Sequence, residues 1–331
     1  MKISISLSRD LGGLFDEEIT FLRQIGVCNV DLYPSFLSAF DADLQYLQKV
    51  QKIVKKIHKS GLKVHVLNFD TLDALMRKPT CEKQLDVACE LIKYSGTASI
   101  PFLRLWPQGP RRGPSMVPGR FRKAHRGGYM MDAFSLELMR AELAKQDLTA
   151  RWAHHFTETL ALEQYYANLV HVLQRLVPVA EDAGVKLMMH FDDPPVPNSE
   201  GLLPGITNPE LINRVFEAVP SKNVGLLFCC GTRYESGVDI FEQIRCFGKL
   251  SKIFHIHFRN VRGTIPSTGG YEEVALDDGD MEMLEVLKAL KAVGYDGAVN
   301  PDHLPILIGD EERRAGLAFA VGYIKALFSA L

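Results

Sequence analysis

Short apolar runs and longer stretches with apolar residues every third or fourth position alternate along the whole chain. Lys2–Leu7 alternates in the two-residue period of a strand. Phe15–Ile25 follows with helical spacing, and Gly26 stops it. The pattern then repeats. Strands are expected at Asn29–Tyr33, Leu62–Leu67, Ile100–Trp106, Val185–His190, Val224–Cys229, Lys252–Phe258 and Gly297–Asp302. Helices are expected at Leu44–Lys59, Cys81–Tyr94, Leu160–Ala183, Pro209–Ala218, Ile240–Leu250, Met281–Val293 and Glu311–Leu331, with Gly61, Gly96, Gly184 and Gly294 as stops. Eight strand–helix units in series predict an α/β fold, a (β/α)8 barrel. A doubly wound open sheet is the alternative. It calls for a glycine-rich phosphate turn after the first strand, and Leu11-Gly12-Gly13-Leu14 is not one.

One stretch breaks the rhythm. Residues 107–157 form a long insertion after the fourth strand, opening PQGPRRGPSMVPGRFRKAHRGG and turning helical from Asp132. Long insertions after barrel strands lie on the catalytic face, so a lid or an oligomer contact is expected within a single domain spanning residues 1–331. The five arginines at 111, 112, 120, 122 and 126 suit an anionic substrate or a partner subunit.

Composition narrows the class. The chain has 331 residues, 47% hydrophobic and 24% charged, with a net charge of −2. That is ordinary globular composition without a nucleic-acid footprint. No apolar run reaches the roughly 18 residues of a membrane span. Six cysteines lie scattered without a C-x-x-C pair, as in a reducing compartment, and the opening MKISISLSRD is too short and too polar beyond Leu7 to be expected as a signal peptide. The expectation is a cytoplasmic protein, homo-oligomeric, with a small-molecule ligand and neither nucleic acid nor membrane as partner.

Chemistry concentrates at the strand ends. The strings KLMMH, VGLLFC, KIFHIH and AVNPD place His190, Cys229, His257 and Asp302 at four consecutive strand ends. A barrel gathers those ends in one mouth, where they could hold a divalent cation. His255 shares a face with His257 and sits one layer deeper. Arg259 continues that face as a clamp for a carboxylate. His303 directly follows Asp302 and has the proton affinity of an acid/base group. Arg104 and Trp106, near the end of the fourth strand, are candidates for holding a carboxylate and for stacking on a sugar face. Asp192 and Asn260 complete the expected substrate contacts.

Taken in order, HFDDPP (190–195), FCCGT (228–232), HIHFRNV (255–261), GDMEM (279–283) and PDH (301–303) resemble the mannonate dehydratase family, within the xylose-isomerase-like TIM barrels. The helix NLVHVLQRLVPVAEDAGVKL (168–187) carries the same resemblance. The resemblance implies Mn²⁺, or Fe²⁺, Co²⁺, Ni²⁺ or Zn²⁺, held by His190, Cys229, His257 and Asp302, with His303 as the catalytic histidine. It also implies dehydration of D-mannonate or a related aldonate to a 2-keto-3-deoxy acid. The chain departs from the family pattern in Phe191, where a proline is usual, and in 271–276, which lacks the family's histidines. A metal-dependent sugar isomerase or epimerase, or a lyase on an oxidised glycoside, therefore stands as the alternative.

Overall fold

The computed structural model describes residues 1–7, 15–34, 44–75, 81–106, 118–144, 162–190, 193–196 and 209–331. Asp192 and the two ends of the expected insertion, 107–117 and 145–157, lie outside them.

Eight parallel strands close into a barrel: β1 (Lys2–Leu7), β2 (Asn29–Leu32), β3 (Lys63–Asp70), β4 (Phe102–Trp106), β7 (Lys186–His190), β8 (Val224–Cys229), β9 (Ile253–His257) and β12 (Ala298–Asn300). The larger helices alternate with them: α1 (Phe15–Gln24), α2 (Leu44–Lys59), α4 (Cys81–Thr97), α6 (Leu162–Ala183), α7 (Pro209–Ala218), α9 (Ile240–Lys249), α11 (Met283–Ala292) and α12 (Arg314–Ser329). Each turns an apolar stripe onto the barrel, as Leu22, Val50, Leu91, Leu176, Ile212, Ile244, Leu287 and Ile324 show, and these residues share one core with the outward strand positions. The helix ends fall within a few residues of the sequence expectation, with one instructive exception. Gly96 does not stop α4 but lies inside it. A Cβ there would come 2.6 Å from the Ala183 carbonyl, so this glycine serves the close approach of α4 to α6.

Inside the barrel, Val66, Met188, Leu227 and Phe254 form a separate apolar cluster. The register between β8 and β9 shifts: Leu226 pairs with Ile253, but Leu227 pairs with His255. Phe254 is the extra residue. It joins the interior cluster while His255 stays in phase with His257, so the shift puts both imidazoles on the inner face. A polar layer lies on the apolar one. Ser4 donates to Asp31 Oδ1 (2.6 Å), Asn300 donates to Asp31 Oδ2 (2.5 Å), and His255 Nε2 lies 2.8 Å from the same oxygen. Burial opposes the charge on Asp31, yet the facing His255 and these hydrogen bonds hold its carboxyl well below the usual range.

The sequence did not disclose a second sheet. Strands β5 (Arg120–Ala124), β6 (Met130–Ser135), β10 (Asn260–Arg262) and β11 (Gly270–Val274) pair antiparallel in the order β10-β11-β6-β5. The expectation of helix from Asp132 is corrected: Asp132 is in β6, and helix α5 (Leu136–Ala144) begins four residues later. Its partner strand explains the difference. Phe134 pairs with Tyr271 of β11, and their rings stack at 5.5 Å, a contact invisible to local periodicity. Three short helices, α3 (Leu72–Leu75), α8 (Cys230–Glu235) and α10 (Ile265–Thr268), and a 3-10 turn at Arg126–Gly128 complete the described elements.

Candidate metal centre and its acid–base neighbour

The barrel brings three of the four expected ligands together directly. One donor atom each of His190, Cys229 and His257 falls within 4.8 Å of the others, and all three residues are buried. In the ladder, Cys229 and Asn300 both pair with His257, so strand register sets the height of the cluster. The fourth, Asp302, leans on the group: its Oδ2 lies 3.1 Å from His257 Nδ1. Asp302 has φ of 61°, the left-handed region a non-glycine residue rarely adopts, and Asn300 Oδ1 braces it by accepting from its backbone N–H (2.8 Å).

Electrostatics suit the cluster to a cation. Burial lowers His190 well below its ordinary value, helped by the positive Arg104. Burial also brings His257 down to about 4, although Asp302 pulls the other way. Both rings are therefore neutral near pH 7, the form that donates a lone pair. His257 Nε2 is buried and makes no hydrogen bond among the described residues. Cys229 is pushed up to about 11 by burial, with the Arg259 guanidinium pulling it back. A bound divalent cation would take the thiolate outright. Two imidazoles, one thiol and an adjacent carboxylate thus fit a divalent transition metal.

Arg259 is not the carboxylate clamp the sequence suggested. Its guanidinium is 1% exposed and fully engaged within the chain. Nη1 donates to Glu235 (2.5 Å) and Glu273 (3.2 Å), Nη2 to Asp193 (2.6 Å) and Thr232 (2.9 Å), and Nε to Cys229 Sγ (3.3 Å). Gly231 makes room for it, since a Cβ there would lie 2.7 Å from Arg259 Cγ. Asn260 is corrected likewise. Its amide donates to the carbonyls of Leu276 and Met281 and accepts from the N–H groups of Val261 and Met281, so it ties down the loop before α11.

Beside the metal group stands a second one: Asp193, Glu273 and His303. His303 Nδ1 lies 2.7 Å from Glu273 Oε2, and Nε2 lies 3.6 Å from Asp302 Oδ2. Burial works to lower His303, but Asp302 and Glu273 together raise it to about 9. This second group is not a second cation site. Asp193 already receives Arg120 and Tyr271 on one oxygen and Arg259 on the other, and two guanidinium groups repel a dication. Arg104 near the end of β4 is buried and donates to the Tyr33 hydroxyl (2.7 Å). Trp106 closes β4.

Sequence reasoning named Arg120 only among the five arginines of the insertion, and missed Tyr33, Asp193, Thr232, Glu235, Tyr271 and Glu273. Asp193 had a signal, the doubled aspartate before two prolines. Glu273 had a weaker one, an acidic pair where the family shows histidine. Glu235 and Thr232 had none beyond their closeness to Cys229.

Comparison with known proteins agrees with the fold and narrows the chemistry. A mannonate dehydratase from Thermotoga maritima is 29% identical over 299 residues, covering 87% of this chain and 75% of that one. The crystal structure of mannonate dehydratase from Streptococcus suis serotype 2 superposes with a TM-score of 0.79 at 23% identity, covering 100% of this chain and 93% of that one. A xylose-isomerase-like TIM barrel from Mycobacterium smegmatis, solved in complex with magnesium, has the same fold at a TM-score of 0.58 and 14% identity, over 96% of this chain and 89% of that one. The model of the D-mannonate dehydratase family matches residues 27–331, a span that includes His190, Cys229, His257 and Asp302, and so the chain belongs to that family of hydro-lyases.

Proposed function

We propose that the chain is a metal-dependent dehydratase of a sugar acid, with D-mannonate as first candidate and 2-keto-3-deoxy-D-gluconate as product. One observation carries the reading: a neutral, buried His190–Cys229–His257 group shares Asp302 with the acid–base pair His303–Glu273. A cation site and a proton donor held side by side are what loss of water next to a carboxylate requires. The same reading makes Asp302 the fourth ligand.

A divalent cation, Mn²⁺ first, held by His190, Cys229, His257 and Asp302 would stabilise negative charge on substrate oxygens. The protein's own groups do the rest. Arg104 supplies positive charge beside the imidazoles, and its charge already depresses His190 and His257. It is the anchor for the substrate carboxylate, with Tyr33 fixing its guanidinium. His303 moves protons. Raised to about 9, it carries a proton at neutral pH, gives it to the departing hydroxyl to form water, and takes up in exchange the proton lost from the carbon beside the carboxylate. Glu273 holds the opposite ring nitrogen and keeps the ring aimed. The hairpin β5–β6 reaches the neighbouring Asp193 through Arg120, which supports a lid role for the insertion.

The test is incubation of the purified chain with Mn²⁺ and D-mannonate, read by the periodate–thiobarbiturate reaction of a 2-keto-3-deoxy acid. Colour that grows with time supports the reading. No colour from any aldonic acid, together with exchange of a sugar's carbon-bound proton into D₂O, would replace it with the epimerase alternative.

A further inference from the structure

The Cys229 sulfur is unusual among the proposed ligands in how heavily it is hydrogen-bonded. Three donors converge on it. The Thr232 backbone N–H lies 3.4 Å away, the Thr232 hydroxyl 3.1 Å and Arg259 Nε 3.3 Å. The hydroxyl is oriented by a relay. Arg259 Nη2 donates to Thr232 Oγ1 at 2.9 Å, which leaves the hydroxyl's own proton to point at the sulfur. Chain geometry builds this arrangement. Cys229 ends β8 and caps the following turn, so the residue three positions on folds back over its side chain. Thr232 and Arg259 are both buried, which shields these contacts from bulk solvent.

Three donors on one sulfur have a definite chemical effect. Each draws electron density from the sulfur lone pairs and lessens what the thiolate gives to a metal. A thiolate favours soft and borderline ions such as Zn²⁺ over hard ones such as Mn²⁺. Withdrawing its density narrows that advantage. The geometry points to Thr232 as a positioning residue that, with Arg259, tunes the Cys229 thiolate so that the site accepts a harder divalent ion than a bare cysteine ligand would favour. This rests on the reading that the four strand-end residues hold a metal, and it assigns to the FCCGT string a role beyond supplying the ligand.

The test loads metal-free protein with Co²⁺ and follows the sulfur-to-cobalt charge-transfer band in the near ultraviolet. The proteins compared are wild type, Thr232→Val, Thr232→Ser and Cys229→Ala. Cys229→Ala identifies the band by losing it. In Thr232→Val the sulfur keeps more electron density, so the band moves to longer wavelength. Competition between Zn²⁺ and Mn²⁺ then shifts toward zinc by about tenfold or more, the scale of outer contacts on metal ligands. Thr232→Ser keeps the hydroxyl and restores both readings. A structural role alone would lower the melting temperature without moving the band. A Thr232→Val band at the wild-type wavelength would overturn the inference while leaving the metal reading intact. Cobalt binding without any thiolate band in the wild type would overturn the metal reading itself. If Thr232→Val does not fold, Thr232→Ala gives the same spectral readout.

Discussion

His303 stands between two carboxylates, 2.7 Å from Glu273 and 3.6 Å from Asp302, and this sets both its chemistry and a pH signature. Its proton affinity is raised from the ordinary 6.5 to about 9. A group raised in the folded state stabilises it fully below the unfolded value and loses that contribution as pH climbs through the folded one. Metal-free wild type should therefore melt above a His303→Asn variant at pH 6, and the gap should close by about pH 9. Glu235, raised to about 8 by burial, slopes the same way in both proteins and cancels in the comparison. A gap that stays constant from pH 6 to 9 would show that the carboxylates do not hold the proton. The same variant should lose about 10²–10⁴-fold in kcat, the usual share of a positioned acid, while still binding metal.

At the scale of elements, the inserted hairpin is the part that sequence reading located but misassigned. Met130 exchanges backbone hydrogen bonds with Ile306, which pins the loop that follows Asp302 and His303. Arg120 reaches Asp193 in the loop after β7, and β6 pairs with β11, which carries Glu273. One hairpin thus braces three segments that bear reactive groups. Arg120→Ala should leave Asp193 on Arg259 and Tyr271 alone, cost about 3 kcal/mol as a broken buried pair, and lower kcat while metal content is kept. Equal denaturation midpoints and equal kcat in the two proteins would make the hairpin a passive cover. The contrast with the barrel is physical. The grouping of His190, Cys229 and His257 was legible because a strand end is a local signal and the barrel brings strand ends together. Glu273, Arg120 and the true course of residue 132 depend on β6 meeting a distant β11, a pairing that no short window encodes. Arg259 lay on the expected face, but its occupants, Glu235, Glu273 and Asp193, come from three other segments, so its role as a hub could not be read from its position.

At the scale of the whole molecule, His190, Cys229 and His257 lie together at the ends of β7, β8 and β9, and Asp302 in the loop after β12 leans on them. Four segments that meet elsewhere only through ladder bonds and packing would share one cation, so metal occupancy should be felt in global stability. A ligand that binds only the folded state adds about 2.7 kcal/mol at a hundredfold excess over Kd. Chelation of the purified protein should therefore lower its melting temperature by several degrees, and returning Mn²⁺ should restore it. The effect should weaken in acid, because Cys229 must shed its proton to bind and burial holds that proton tightly. A His190→Ala, Asp302→Ala double variant should melt at one temperature with or without metal. The pairing of this variant with the chelation series separates two explanations of a metal effect. A rise that survives in the double variant places the cation elsewhere, and the Arg120 and Arg259 guanidiniums argue against the neighbouring Asp193–Glu273–His303 group. A rise that vanishes with the two substitutions, and fades toward low pH in the wild type, ties the stability of the barrel to the site proposed to do its chemistry.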